Sequence, residues 1–111
     1  MKLPNFQKAI IPESKLSGYC LNLEHKDGKH KARVFRAALG LTEANSDELK
    51  NALIQSLINC EAEFQKTTAN GDLYIIIFPM TRNNKTENIK SVWIIRNGED
   101  FPHLVTCYID E

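Results

Sequence analysis

The chain has 111 residues, with 14 Lys and Arg against 14 Asp and Glu, and 42% of its residues are hydrophobic. A chain of about 100–150 residues usually forms one domain and buries enough surface to fold without disulfides or a metal. The composition excludes disordered, collagen-like and coiled-coil chains, and neither a membrane span nor a signal peptide is visible. We therefore expect a single domain over residues 1–111 that is cytoplasmic and does not contact membranes.

Three helices are predicted in the N-terminal half from capping residues and from apolar side chains at helical spacing. They span approximately residues 12–21, 29–39 and 45–59. Gly40 is placed to end the second helix in a left-handed conformation, and Asn45 is placed to cap the third, with Glu48 completing a capping box. The apolar face of the second helix is predicted to consist of Val34, Phe35, Ala38 and Leu39.

From residue 61 the pattern changes to an alternation of period two, rich in β-branched and aromatic residues. Four strands are predicted, at about 61–68, 73–80, 89–96 and 104–109. Asn70-Gly71 marks a tight hairpin turn, and Trp93, in the middle of the third strand, is predicted to be a core residue. The fold class is therefore α+β, with two or three N-terminal helices packed on a four-stranded antiparallel meander sheet.

The three cysteines do not form a recognisable motif. Cys20, Cys60 and Cys107 are far apart and lack the spacings that bind zinc. We interpret them as small core residues in a reducing compartment, with a catalytic thiol as the less favoured alternative. No metal site and no cofactor are expected.

The charged residues are unevenly distributed along the chain. Residues 1–40 contain 8 basic and 3 acidic residues, whereas residues 41–111 contain 6 basic and 11 acidic ones, so the two parts carry net charges of +5 and −5. Such asymmetry predicts a basic face suited to a polyanion. The alternative is that the two signs pair across the fold or are simply solvated.

The basic residues are concentrated in the segment 25–36, which has five Lys or Arg, two His and one Asp. Lys29, Arg33 and Arg36 follow each other at i, i+4 and i+7, so on a helix they form one stripe, predicted to lie opposite the apolar face. Together with His30 they are candidate nucleic-acid-binding residues. The start of this helix offers free backbone N–H groups and the positive end of the dipole, which favour phosphate.

Cleavage of RNA without a metal needs a base for the ribose 2′-OH, an acid for the leaving oxygen and cations for the charged phosphorane. An imidazole titrates near neutral pH, so His25 is a candidate acid or base. Lys31 or Arg96 is a candidate charge stabiliser, and Thr106 a candidate positioning hydroxyl. The alternative is an ordinary basic surface helix in which His25 only caps or tethers the preceding loop.

The segment Tyr19–Gly40 resembles the signature of a small, functionally uncharacterised bacterial domain family: YxLNxxH, then GxxKAxxF, then LG. The resemblance continues through Gly71, Trp93-Ile94 and the segment 102–106, and so covers nearly the whole chain. One departure is Lys26, where the family usually has Pro after the His. Such domains occur as short bacterial proteins, often beside another small open reading frame, and as C-terminal modules of toxin-like proteins.

The element order is also similar to the barnase, EndoU and RelE group of ribonuclease folds. This similarity implies His25 and Lys31 from the helical part, with Arg96 and Thr106 from the strands, as catalytic residues. We therefore expect a toxin-type, metal-independent endoribonuclease that acts on RNA and is restrained by a small partner protein. The alternatives are a non-catalytic interaction module, such as a partner or immunity-type protein, and a nucleic-acid-binding domain that does not cleave.

Overall fold

In the computed structural model, which describes all 111 residues, helices precede a four-stranded antiparallel sheet. The helices are α1 (Glu13–Lys15), which continues directly into a π-helix (Leu16–Cys20), α2 (Lys29–Leu39) and α3 (Ser46–Asn59). The strands are β1 (Glu63–Thr68), β2 (Gly71–Arg82), β3 (Lys85–Arg96) and β4 (Pro102–Ile109). Their spatial order is β1-β2-β3-β4, which confirms the predicted α+β fold and its meander sheet.

The central hairpin is longer than the sequence pattern predicts. Strands β2 and β3 have 12 residues each and pair without interruption from Gly71 opposite Arg96 to Arg82 opposite Lys85. Asn83 and Asn84 form the connecting turn with φ values of 53° and 64°, the left-handed region that asparagine tolerates in two-residue hairpin turns. The distal part of the hairpin was missed because its polar residues lie in solvent and lack the alternation of a buried strand.

The capping of α3 also differs from the prediction. Asn45 is the N-cap residue, but its side chain forms a reciprocal capping box one turn earlier, with Thr42. Glu48 instead accepts hydrogen bonds at both carboxylate oxygens from the Arg82 guanidinium, at 3.0 and 3.2 Å. The Arg82 hydrogen bonds lower the pKa of Glu48, and the carboxylate raises the pKa of Arg82 in return.

Arg82 connects the ends of three elements. Gly40, with a φ of 67°, ends α2 as predicted. The Arg82 guanidinium then donates to the free carbonyl oxygens of Leu39 and Gly40, at 3.0 and 3.1 Å. The Arg82 side chain, at the end of β2, therefore supplies hydrogen-bond donors to free carbonyl groups at the C-terminus of α2 and also binds Glu48 of α3.

The helices cover one face of the sheet and form a single core with it. The core combines helix residues such as Phe35, Leu39 and Leu53 with strand residues such as Ile76, Ile89 and Trp93. Trp93 is fully buried, as predicted, and its indole N–H donates to Ser91, whose hydroxyl donates to the Ile76 carbonyl. No helix packs against the opposite face, where Ile77 is 48% exposed. None of the helices is long and apolar enough to cross a membrane.

Candidate functional site

The faces of helix α2 decide where its cations lie. Its buried residues are Ala32, Phe35 and Leu39, whereas Val34 and Ala38 are only partly buried. At about 100° per residue, the predicted stripe of Lys29, Arg33 and Arg36 lies roughly a quarter turn from this buried face. The stripe therefore flanks the core and does not lie opposite to it. Arg33 and Arg36 are exposed, Lys29 is half-buried, and His30 faces solvent at the first turn.

Lys31 leaves α2 on the other flank, where it meets the π-helix and strand β4. Its ammonium donates a hydrogen bond to the Tyr19 hydroxyl over 2.9 Å. The same nitrogen lies 4.9 Å from the centre of the Tyr19 ring and 5.7 Å from the centre of the Tyr108 ring. Because the phenol oxygen accepts from Lys31, the hydroxyl proton of Tyr19 is free to be donated to another group.

The loop before α2 is organised by the imidazole of His25. Its Nδ1 accepts the backbone N–H groups of Asp27 and Gly28, both at 3.0 Å, and its carbonyl accepts the N–H of Lys29. A nitrogen that accepts two hydrogen bonds carries no proton, so in the neutral ring the proton is at Nε2. The ring can therefore donate from Nε2, but it has no free lone pair with which to act as a base.

Tyr19, His25 and Lys31 form one cluster, which we call the Tyr19 cluster. The rings of Tyr19 and His25 meet edge to face, with centroids 4.8 Å apart and an interplanar angle of 87°. Gly28 fits beneath them because it lacks a side chain: a Cβ there would overlap the Tyr19 carbonyl and lie 2.9 Å from the Tyr19 ring. The glycine thus lets the start of α2 approach the π-helix closely.

Thr106 lies next to the sulfur of Cys20, the residue that follows Tyr19. The Thr106 hydroxyl is 3.6 Å from Cys20 Sγ, which also accepts the Cys107 N–H at 3.4 Å and the Cys107 S–H at 3.8 Å. The Cys107 hydrogen bonds lower the pKa of Cys20 to about 7, helped by Thr106 and by the charge of Lys31, whereas burial opposes the shift. The hydrogen bond to Cys20 and burial raise the pKa of Cys107.

Arg96 lies away from these residues, exposed at the end of β3 beside Lys15 and Asn70. Thr106 pairs with Val92, which precedes Arg96 by four residues on β3. At about 3.3 Å per residue, Arg96 is roughly 13 Å along the strand from the level of Thr106. The structure therefore brings His25 and Lys31 together around Tyr19. Thr106 is connected to them only through its contact with Cys20, the neighbour of Tyr19 in the chain. Arg96 does not lie near these residues.

A family model described as "Domain of unknown function (DUF6883)" matches residues 2–111. The chain belongs to the DUF6883 family. No curated protein and no solved structure matches it. The match of the DUF6883 model includes all helices and strands, and with them every residue of the Tyr19 cluster.

From the sequence, Tyr19 was only the first residue of the family signature and Cys20 was interpreted as a core residue, so neither was among the candidate site residues of this DUF6883 domain. Both lie in the π-helix, whose wider turn is closed by the hydrogen bond from the Leu21 N–H to the Leu16 carbonyl. Wide turns of this kind are often functional, but they have no reliable sequence signal. The available clue was the position of Tyr19 six residues before His25. No group of three or more His, Cys, Asp or Glu side chains is placed to hold a metal ion.

Proposed function

We propose that this DUF6883 domain is a toxin-type endoribonuclease that binds an RNA phosphodiester at the Tyr19 cluster and cleaves it without a metal ion. The observation that carries the proposal is the Lys31 ammonium, held 2.9 Å from the Tyr19 hydroxyl beside the first turn of α2. A fixed cation, an available phenol proton and a helix N-terminus are the groups that a phosphoryl transition state requires.

In the proposed reaction the ribose 2′-oxygen attacks the adjacent phosphorus and loses its proton to water. The bond from phosphorus to the 5′-oxygen breaks, and the Tyr19 hydroxyl gives its proton to that oxygen. Lys31 stabilises both the phosphorane and the phenolate, which water then reprotonates. The products are a 2′,3′-cyclic phosphate and a 5′-hydroxyl. Tyr19 thus takes the acid role that the sequence suggested for His25.

The remaining candidate residues have supporting roles in this proposal. The Nε2–H of His25 donates to a phosphate oxygen, while Nδ1 keeps the loop in shape. Thr106 positions Cys20 and hence Tyr19 through the contact at 3.6 Å. Exposed Arg33 and Arg36 contact backbone phosphates of the same RNA along the other flank of α2, adding affinity without sequence preference.

The test is cleavage of total RNA and of a mixed-sequence oligoribonucleotide in EDTA by the purified chain. Lys31→Met removes the ammonium and Tyr19→Phe removes the proton donor, and each is expected to slow cleavage by about 100-fold or more. Arg96→Met is the matched control, because it also removes one cation but lies away from the cluster. It is expected to change the rate by less than about threefold.

Full activity in Lys31→Met, or equal losses in Lys31→Met and Arg96→Met, would contradict the assignment of the site. Circular dichroism and thermal unfolding of each variant separate a lost contact from a lost fold. A DNA oligonucleotide of the same sequence should remain intact, since it has no 2′-hydroxyl.

A second candidate function is RNA binding without cleavage, and one observation favours it. Since Nδ1 of His25 accepts two backbone N–H groups, the cluster contains no imidazole base. This function predicts an affinity for single-stranded RNA that falls steeply with salt and no product at any time. Binding measured together with product analysis on the same samples distinguishes the two functions.

If the domain is a toxin, its expression should stop the growth of bacterial cells. Expression of the wild-type chain in a bacterial cytoplasm should arrest growth, and expression of Lys31→Met should not. A small partner protein encoded nearby should restore growth by covering the flank of α2 that contains Arg33 and Arg36. Its association should weaken with salt, because the flank is positively charged. Harmless wild-type expression together with tight partner binding would instead identify a non-catalytic interaction module.

A further inference from the structure

We propose that Cys20 and Cys107 are a redox pair that forms an intramolecular disulfide on exposure to a peroxide. The two sulfurs are 3.8 Å apart, and both residues are fully buried. The third cysteine, Cys60, is only partly buried and lies between α3 and β1, away from the pair. The structure thus selects one of the three possible pairings.

The two sulfurs are close enough for a small movement to bring them to bonding distance. A disulfide needs its sulfurs about 2.05 Å apart, so the two atoms must approach by less than about 2 Å. Cys107 donates both its N–H and its S–H to Cys20 Sγ, which orients the two sulfurs toward each other. These hydrogen bonds also favour the thiolate of Cys20, the form that reacts with peroxides.

Cys20 is fully buried, so an oxidant reaches its sulfur only when the side chains that cover it move. The residue ends the π-helix, and the half-buried Thr106 side chain covers its sulfur at 3.6 Å. A rotation of Thr106 or a local opening of the π-helix would expose the sulfur to a molecule of two heavy atoms. A bulky disulfide such as oxidised glutathione would not fit without wider unfolding.

The chemistry is balanced with hydrogen peroxide as the oxidant. The Cys20 thiolate attacks one peroxide oxygen, the O–O bond breaks, and the product is Cys20 sulfenic acid with hydroxide as the leaving group. Cys107 loses its proton and attacks the Cys20 sulfur, and the sulfenic oxygen leaves as water. Two thiols and one peroxide become one disulfide and two waters.

The disulfide would act on the neighbouring site, and this consequence rests on the proposed function. Moving Cys20 toward Cys107 displaces Tyr19, its neighbour in the chain, from Lys31. The oxidised form should therefore cleave or bind RNA several-fold more weakly, and a thiol reductant should restore it. The formation of the bond itself does not depend on any RNA activity.

The experiment measures the bond directly in the wild-type chain. The folded protein is treated with hydrogen peroxide, quenched with catalase, denatured, alkylated and analysed by mass spectrometry before and after reduction. Two alkylation sites should disappear, and trypsin should release a cross-linked pair of peptides 16–26 and 97–111, which contain Cys20 and Cys107. Cys60 lies in peptide 51–66 and should remain alkylated.

Two variants control the interpretation. Cys60→Ser should form the same cross-link at the same rate. Cys107→Ala should accumulate Cys20 sulfenic acid, which dimedone captures when it is added together with the denaturant. The proposal is overturned if all three thiols of the wild type stay alkylatable, if Cys60 enters the cross-link, or if the disulfide joins two chains. RNA activity measured on the same samples then tests the proposed function separately.

Discussion

The Cys20 sulfur accepts hydrogen bonds from the S–H and the N–H of Cys107 and lies within reach of the Thr106 hydroxyl. Such an arrangement stabilises negative charge on sulfur, and the nearby Lys31 adds to it. The same contacts make Cys107 harder to ionise, because its proton is shared with the neighbouring sulfur. Cys20 is therefore the cysteine that ionises more readily, and Cys107 is the one that keeps its proton and donates it in the hydrogen bond to Cys20.

The pH dependence of the Cys20 thiol follows from this arrangement. Since its pKa is lowered from 9.0 to about 7, thiolate absorbance at 240 nm should rise through pH 7 in the folded wild type and lack this step in Cys20→Ser. The lowered pKa of Cys20 makes the fold more stable as the pH rises from about 7 to 9.0, and this contribution is lost as the pH falls through about 7. The raised pKa of Cys107 acts in the opposite direction above pH 9.0, where the unfolded chain loses the Cys107 proton and the folded chain keeps it. A folded wild type with no thiol ionising below pH 8 would contradict the hydrogen-bond pattern.

At the scale of elements, the start of α2 depends on Gly28. The carbonyl of Gly28 accepts the N–H of Ala32, and its N–H donates to His25 Nδ1. Its φ of −85° suits any residue, so the requirement for glycine comes from the closeness of Tyr19 and not from the backbone angle. The Tyr19 cluster and the first turn of α2 are consequently one structural unit.

Gly28→Ala should therefore disturb both stability and function. Forcing a methyl group against the Tyr19 carbonyl and ring should lower the free energy of unfolding by about 1–3 kcal/mol. The matched control is Gly18→Ala, because a Cβ at Gly18 meets only ordinary contacts, the nearest being Ser14 Cβ at 3.7 Å. Urea unfolding of both variants checks the difference. Equal stability of the two would show that the start of α2 has room to move.

The elements that could be predicted from the sequence are those whose pattern is local. Helices α2 and α3 follow from apolar spacing and from Gly40, and the strands from alternation. Their faces were less predictable, because Ala32 is buried while Val34 and Ala38 are only partly so, a choice made by packing against the sheet. The contact of Lys31 with Tyr19 also depends on the π-helix, which leaves no local pattern.

For the whole molecule, the meander sheet decides which parts of the predicted site meet. Residues of α2 and β4 become neighbours because the helices lie on the face that contains Cys107 and Trp93. Arg96 was predicted to join them, but it lies at the far end of a 12-residue strand. Sequence spacing does not predict this separation, because the distance between two residues on neighbouring strands depends on the strand register and on the strand lengths together.

The basic residues of α2 are divided between the two flanks of this helix. The cations of α2 lie on both flanks of its buried face, Lys31 on one side and the exposed Arg33 and Arg36 on the other. An RNA strand that crosses the first two turns of α2 would meet both sets. This arrangement suits a polyanion of several phosphates better than a single small anion.

Cleavage at the Tyr19 cluster is tested by the chemistry of the RNA ends after incubation with the purified chain in EDTA. We expect fragments that end in 2′,3′-cyclic phosphate and begin with 5′-hydroxyl. The wild type and Arg96→Met should form them at similar rates, and Tyr19→Phe about 100-fold more slowly. RNA that stays intact with the wild type, or cleavage that Tyr19→Phe leaves unchanged, would contradict this expectation.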